Sequence, residues 1–479
     1  MKVRELQRWF ITHITDSGKP YSVDKNQAKI VLDSHKNTLV TARAGSGKTR
    51  TIVAKITYLL AHENIAPSSI IVFAFNRKAC QEINERLTKI CFDNKPLFDN
   101  PPSIATTFHS FAYQLMGGKS ALENRLVTDE SPSQFITRAE QKFFKDYNLL
   151  FQKISEIKDP KKHEILLTEF KNLQTYHQKL ANENKLNFNQ LVASAAQRLT
   201  EKIATENYQT PYRYIFVDEY QDFSLLFLEM IQALRKTCPA AHLLTVGDDW
   251  QAINRFAGSD VEYFNHFEKY FPEDSAKLFI PTNYRSGKLI VKNANFFMGK
   301  CIGDYRGCKA KNKTRANIFV KNIMFESYEK TVLDIIKNNP GKSIKILDRN
   351  NDLNFIRTSL TDFTTKIKQQ IASKFPDFDV ENLITESTIH RSKGLESDIV
   401  ILLEIDANKF PGPDKTDGLY EIFGDTKENL FRDEARLFYV ALTRPKEKLY
   451  ILSKTTKIRK ETKKYNFLSY LNQEWIEEL

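Results

Sequence analysis

Two short stretches carry residue types that could handle a phosphate chain. The first is Ala42-Arg43-Ala44-Gly45-Ser46-Gly47-Lys48-Thr49. Glycines let backbone N–H groups wrap a β-phosphate at a helix N-terminus, a lysine such as Lys48 adds a cation for the β/γ oxygens, and the Thr49 hydroxyl can hold Mg²⁺. Ala44, Gly45, Ser46, Gly47, Lys48, Thr49 and Arg50 are therefore the expected nucleotide contacts. The second stretch is the apolar run Tyr214-Ile215-Phe216-Val217 followed by Asp218-Glu219. An acid pair at a strand end after such a loop predicts Asp218 as a metal ligand and Glu219 as the group that polarises attacking water. ATP and Mg²⁺ are the expected cofactors.

These stretches need a scaffold of buried strands. Bounded apolar runs at Thr38 to Thr41, Ser69 to Phe75, Tyr214 to Val217, Leu243 to Val246, Ile344 to Leu347, Ile399 to Leu403 and Leu449 to Leu452 have the continuous apolar look of parallel strands. After the first, Ile52, Val53, Ile56, Leu59 and Leu60 form one helical stripe. Strands alternating with helices predict doubly wound α/β sheets with ligands at the carboxyl ends of the strands. Residues 112–189 lack β-like runs and read as a helical insertion, and residues 350–387 read as a shorter interruption.

The 479 residues allow two to four domains, and 41% hydrophobic with 27% charged residues excludes a disordered or collagen-like chain. Lys plus Arg exceed Asp plus Glu by 71 to 59, a net +12 that favours a polyanionic partner. Basic clusters at Lys309, Lys311, Lys313 and Arg315, and from Lys454 to Lys464, read as solvated faces. The five cysteines form no CxxC pair, so free thiols are expected rather than a disulfide framework or zinc ribbon. No apolar run approaches membrane-span length, and the first residues lack a signal-peptide core, which predicts a cytoplasmic protein without a membrane partner.

Asp218-Glu219-Tyr220-Gln221-Asp222 resembles the DExQD signature of superfamily 1 helicases of the UvrD/Rep group, and further family motifs follow in order. Gln27 resembles the adenine-reading glutamine of the Q motif; an amide can donate to and accept from the adenine edge. Phe75, Lys78 and Glu82 resemble motif Ia, and Thr107-Phe108-His109-Ser110 motif Ib. Gly247-Asp248-Asp249-Trp250-Gln251 resembles motif III, Asn283-Tyr284-Arg285-Ser286 motif IV, Thr388 to Glu396 motif V and Glu434 to Arg444 motif VI. The strings GDDWQAI and AFNRKA are similar to the helicase IV branch.

The resemblance implies two RecA-like P-loop domains: 1A over 1–111 and 190–280, and 2A over 281–349 and 388–479. It also implies a helical 1B insertion over 112–189 and a vestigial 2B region over 350–387. By the same resemblance, Lys48, Glu219, Gln251, Arg285 and Arg444 are catalytic, with Gln251 a γ-phosphate sensor. Gln27, Tyr284 and Glu396 join the nucleotide contacts, and Phe75, Lys78, Thr107, His109, Asn254, Arg255, Phe256 and His390 contact DNA. The implied function is a 3′-5′ single-stranded DNA translocase and helicase acting on single strands and 3′-tailed duplexes. The alternative is a DNA-sensing ATPase switch or motor subunit that regulates a partner nuclease or a repair or defence complex and unwinds little alone. Where motif III usually continues with Tyr and then Trp-Arg, this chain has Asn254, Phe256 and Ala257, which predicts a weaker or redistributed grip on the strand.

Overall fold

The computed structural model describes residues 1–98, 103–127, 132–144, 146–312, 317–323, 327–353, 357–376, 378–405, 409–412, 418–454 and 467–479. Lys313, Arg315 and the basic run over 455–464 lie outside the described residues. The chain forms two compact units. Unit 1 comprises Met1–Ala42, Gly47–Ile280 and Gly418–Asp425; unit 2 comprises Arg43–Ser46, Pro281–Asp417 and Thr426–Leu479.

Unit 1 is built on a parallel sheet of β1 (Asn37–Ala42), β2 (Ile70–Ala74), β3 (Ala105–Thr107), β4 (Tyr214–Val217), β5 (His242–Gly247) and β6 (Ser275–Ile280), in the order β6-β1-β5-β4-β2-β3. Successive side chains of a strand face opposite sides, so apolar runs must be covered twice. Val40, Val72, Phe216 and Val246 enter one core with Ile30, Ile52, Ile56 and Ile83. These last come from α2 (Lys25–Leu32), α3 (Lys48–Ala61) and α4 (Arg77–Thr88). Leu39, Phe73, Ile215, Val217 and Leu243 enter the other core with Phe108, Leu191, Leu199 and Ile231. Burying each such side chain stabilises the fold by roughly 1.5–3 kcal/mol.

Outside this sheet, α1 (Val3–His13) and a small antiparallel sheet of residues 14–16, 19–20, 90–92 and 95–96 add structure that the apolar runs do not announce. The interval from β3 to β4 is helical among its described residues. It holds α5 (Phe108–Leu115), α6 (Gly118–Leu122), α7 (Gln134–Phe143), α8 (Tyr147–Ser155), α9 (Pro160–Asn182) and α10 (Phe188–Glu206), after which α11 (Leu225–Thr237) follows β4. Phe135, Ile136, Leu150, Leu166 and Phe170 of α7 to α9 form a separate apolar cluster, which also takes in Phe423.

Unit 2 carries a second parallel sheet of β7 (Asn317–Ile323), β8 (Ile344–Asp348), β9 (Ile384–Thr388), β10 (Ser397–Leu402), β11 (Pro445–Lys454) and β12 (Ile476–Glu478), in the order β9-β8-β10-β11-β7-β12. Its helices include α12 (Lys288–Ile302), α13 (Tyr328–Lys337), α14 (Leu360–Lys374) and α15 (Lys427–Leu442). α14 buries Leu360, Phe363, Ile367 and Ile371 against Ile344, Ile346 and Ile384. Most of the described part of 350–387 is thus the crossover helix between two parallel strands, a core element of the unit, preceded by a short antiparallel pairing of Asp352–Leu353 with Thr358–Ser359. Among the described residues, no helix is long and apolar enough to cross a membrane.

Candidate nucleotide and nucleic-acid site

The phosphate loop runs from the end of β1 into α3. Gly45 (φ +72°) and Gly47 (φ +82°) take the left-handed backbone that glycine tolerates without strain. A side chain at Gly45 would also meet Arg285 Cβ and Asn283 Nδ2 at 2.8 Å. Asn283 Nδ2 donates to the Ala44 carbonyl at 2.7 Å, and the Tyr284 N–H donates to the Gly45 carbonyl at 2.7 Å. Ser46 is buried and its Oγ has no hydrogen-bond partner. Arg43 is 1% exposed and donates to Asp304 at 3.0 Å and to the Arg306 carbonyl at 3.1 Å. The apolar-run reading assigned Arg43 no role, because only the fold brings Asp304 to it.

Lys48 opens α3 with its Nζ 2.9 Å and 3.0 Å from the two Glu219 oxygens. Burial works against its charge, but Glu219, Asp248 and Asp218 outweigh that and hold its pKa above the ordinary lysine value. Burial, reinforced by Glu219, raises the Asp218 carboxyl to about 7. Glu219 stands at φ +53°, an uncommon backbone for a side-chain-bearing residue and of the kind that clusters at functional sites.

The acid pair is wired to the third motif. Gln221 donates to Glu219 and accepts from the Asp248 N–H at 2.8 Å. Gln251 donates to Asp248 at 2.6 Å. Gly247 leaves room for this chain, since a Cβ there would sit 2.5 Å from Gln221 Oε1. Gln221 appeared in the sequence only as part of a signature; its bridging position comes from β4 and β5 being neighbours in the sheet.

Gln27 is buried in α2, accepts from the Asp24 N–H and leaves Nε2 without a partner, 3.3 Å from where a Gly47 side chain would begin. A buried amide donor left open beside the phosphate loop fits the edge of a base. Thr49 Oγ1 lies 3.4 Å from Asp218 Oδ2, a pair of oxygen donors that fits a hard cation such as Mg²⁺. The Arg50 guanidinium sits 4.1 Å over the Tyr21 ring and donates to the Ser22 carbonyl at 3.1 Å.

In unit 2, Arg285 donates to Glu396 at 2.7 Å and to the Thr443 carbonyl at 3.2 Å. Burial opposes ionisation of Glu396, yet Arg285 and Lys446 bring its pKa below the usual carboxylate range. Arg444 is 1% exposed, and its guanidinium donates to the carbonyls of Val440 (2.9 Å) and Leu395 (3.1 Å). Tyr284 is exposed.

Of the expected strand contacts in unit 1, Phe75, Lys78 and Phe256 are exposed, and Asn254 and Arg255 are half-buried. Thr107 is buried, its hydroxyl capping α5 by accepting from the Ser110 N–H at 3.0 Å. His109 is half-buried with its pKa lowered by burial, and its ring meets Phe188 edge-on at 5.5 Å. Phe188 is itself exposed and was not singled out in the sequence. Its signal is a large apolar residue at the first turn of α10, directly after the Asn187 cap. His390, in unit 2, is half-buried, with its pKa lowered by burial and by Arg349.

The chain matches the UvrD/REP helicase N-terminal domain over residues 23–272 and the UvrD-like helicase C-terminal domain over residues 342–456. It is similar to DNA helicase IV of Escherichia coli (strain K12), 28% identical over 89% of this chain and 67% of that protein. It is also similar to ATP-dependent DNA helicase PcrA of Staphylococcus aureus, 26% identical over 57% of this chain. The chain spans 39% of the length of PcrA. With the phosphate loop, the strand-end acid pair and two parallel α/β sheets on one polypeptide, the chain belongs to the UvrD/REP family of ATP-dependent DNA helicases.

Proposed function

We propose that the chain is a DNA-stimulated ATPase that translocates 3′ to 5′ on single-stranded DNA and unwinds 3′-tailed duplexes. The observation that carries the reading is the run of contacts Lys48–Glu219–Gln221–Asp248–Gln251, which joins the phosphate lysine, the catalytic acid and the third motif in one network. Lys48 offsets charge on the β/γ oxygens, and Glu219 orients water for in-line attack. Thr49 and Asp218 would hold Mg²⁺, which supplies charge neutralisation when bound. Gln27 reads the base, and Tyr284 and Glu396 complete the nucleotide contacts. Arg285 and Arg444 are read as the cations that answer charge developing on the γ-phosphate.

The strand is held by stacking on Phe75, Phe256 and Phe188 and by Lys78, Asn254, Arg255 and His109 of unit 1, and His390 of unit 2 is read as a further contact; aromatic faces accept any base. Turnover measured with and without single-stranded DNA, together with strand separation on 3′-tailed and 5′-tailed duplexes, tests the proposal. DNA-stimulated turnover with 3′-tail-dependent unwinding is expected. Stimulation without unwinding would favour the regulatory ATPase, and a 5′-tail requirement would overturn the polarity.

A further inference from the structure

One turn of α7 does two jobs. Arg138, Gln141 and Lys142, at positions i, i+3 and i+4, share a helix face. Gln141 lies under Gly258, whose left-handed backbone (φ +91°) leaves no room for a side chain: a Cβ there would sit 2.4 Å from Gln141 Cβ. The loop that follows the third motif therefore rests on α7. Ser259 Oγ ties the same loop to the Asp222 carbonyl at 2.9 Å, next to the acid pair.

The same face grips a segment from far along the chain. Gly418–Asp425 folds as part of unit 1, although it lies in sequence between β10 and α15. Arg138 makes a two-pronged pair with Asp425 at 2.6 Å and 2.7 Å, and both residues are buried. The Phe423 ring inserts beside Phe135 and Phe143, and the Arg138 guanidinium covers it at 4.8 Å. Lys142 bridges the two clients, donating to the Phe423 carbonyl at 3.1 Å and lying 3.4 Å from Asp260. The residue after Asp425 is Thr426, the cap of α15, and Arg444 follows the end of that helix.

We propose that Arg138 and Asp425 are positioning residues that couple the third-motif loop to α15, so that a DNA strand engaging Asn254–Phe256 accelerates ATP hydrolysis through α7 and this strap. Neither residue is among those assigned to nucleotide or DNA in the proposed function. The geometry suits a coupler: a two-pronged guanidinium–carboxylate pair fixes distance and orientation together, and burial shields it from water and salt. The inference rests on the DNA-stimulated ATPase reading.

The test uses the full chain and oligo(dT). Asp425→Asn keeps the shape and removes the charge; Lys142→Met removes the bridge and keeps the helix. For both variants, DNA-free turnover and oligo(dT) affinity by anisotropy are expected to stay within about twofold of wild type, while DNA-stimulated kcat falls at least fivefold or so. Full stimulation in both variants would overturn the coupling role, as would an equal fall of kcat with and without DNA, the mark of a merely structural pair. Wild-type turnover indifferent to oligo(dT) would instead remove the ATPase reading on which the inference stands, and is recognised in the wild type alone.

Discussion

The Lys48 ammonium is placed 2.9 Å and 3.0 Å from the two carboxylate oxygens of Glu219, so the proposed phosphate cation and the proposed water-orienting acid form one ion pair. Changing either residue therefore alters the charge of the other's surroundings. Lys48→Ala is expected to bring turnover below about 1% of wild type by removing the cation. Glu219→Gln is expected to retain ATP binding and to lower kcat by roughly 10²–10⁴, since an amide cannot act as a base. Steady-state turnover and equilibrium ATP binding check both; normal kcat in Glu219→Gln would reject the acid's assignment.

Arg444 is expected to show two effects at once. Truncation to Ala should lower kcat by on the order of 10³, as for arginine fingers. It also removes hydrogen bonds to the carbonyls of Leu395 and Val440, the latter keeping Thr443 as a donor, which should cost about 1–3 kcal/mol of stability. Turnover at a temperature well below unfolding separates the two. A variant with normal kcat and only a lower urea midpoint would make Arg444 a structural residue.

Phe75 and Phe256 stand exposed with no polar handle, and stacking on bases is the use the proposal gives them. Phe75→Ala and Phe256→Ala are each expected to weaken oligo(dT) binding by about 1–3 kcal/mol. Lys78→Ala should lessen the slope of log affinity against log salt by roughly 0.7, as for one phosphate contact to a single strand. Anisotropy titrations across a salt series measure both, and a flat salt response in the wild type would exclude backbone tracking.

Lys55 yields a signed pH dependence. Burial, opposed by Asp33 and Glu63, lowers its pKa to about 8, while its Nζ donates to the Val31 and Asp33 carbonyls at 2.6 Å and 2.7 Å. In the unfolded chain the group stays protonated to its ordinary value near 10.5. Between these values the unfolded state binds more protons, so stability rises with pH through this window; the contribution is complete above 10.5 and is lost as pH falls toward 8. Relative to Lys55→Met, the wild type should gain up to roughly 3 kcal/mol on going from neutral pH to the top of that window. Urea midpoints of both proteins across the range give the difference, and a gain on acidification would contradict the buried-amine assignment.

Much of the scaffold was legible because buried parallel strands have few ways to look. Thr38 to Thr41, Tyr214 to Val217 and Ile344 to Leu347 lie within β1, β4 and β8, where both faces are covered and apolar side chains predominate. β6 (SAKLFI) and β9 (ITEST) escaped because edge strands keep polar side chains, which blurs the apolar run. Residues 350–387 read as an interruption, since the helix stripe of α14 is diluted by lysines, glutamines and threonines on its outer face.

What the sequence determined alone was chemistry carried by neighbours in the chain: a glycine-lysine-threonine loop and an acid pair at a strand end, whose spacing is set by one helix turn and one strand terminus. The contacts between distant residues belong to the tertiary structure. Gln221 reaches Asp248 because β4 and β5 are adjacent, Arg43 finds Asp304 across more than half the chain, and Arg138 meets Asp425 only where a strap folds back onto α7. Such partners leave no period or spacing in a sequence, because what places them is sheet order and helix packing, which depend on every buried side chain together.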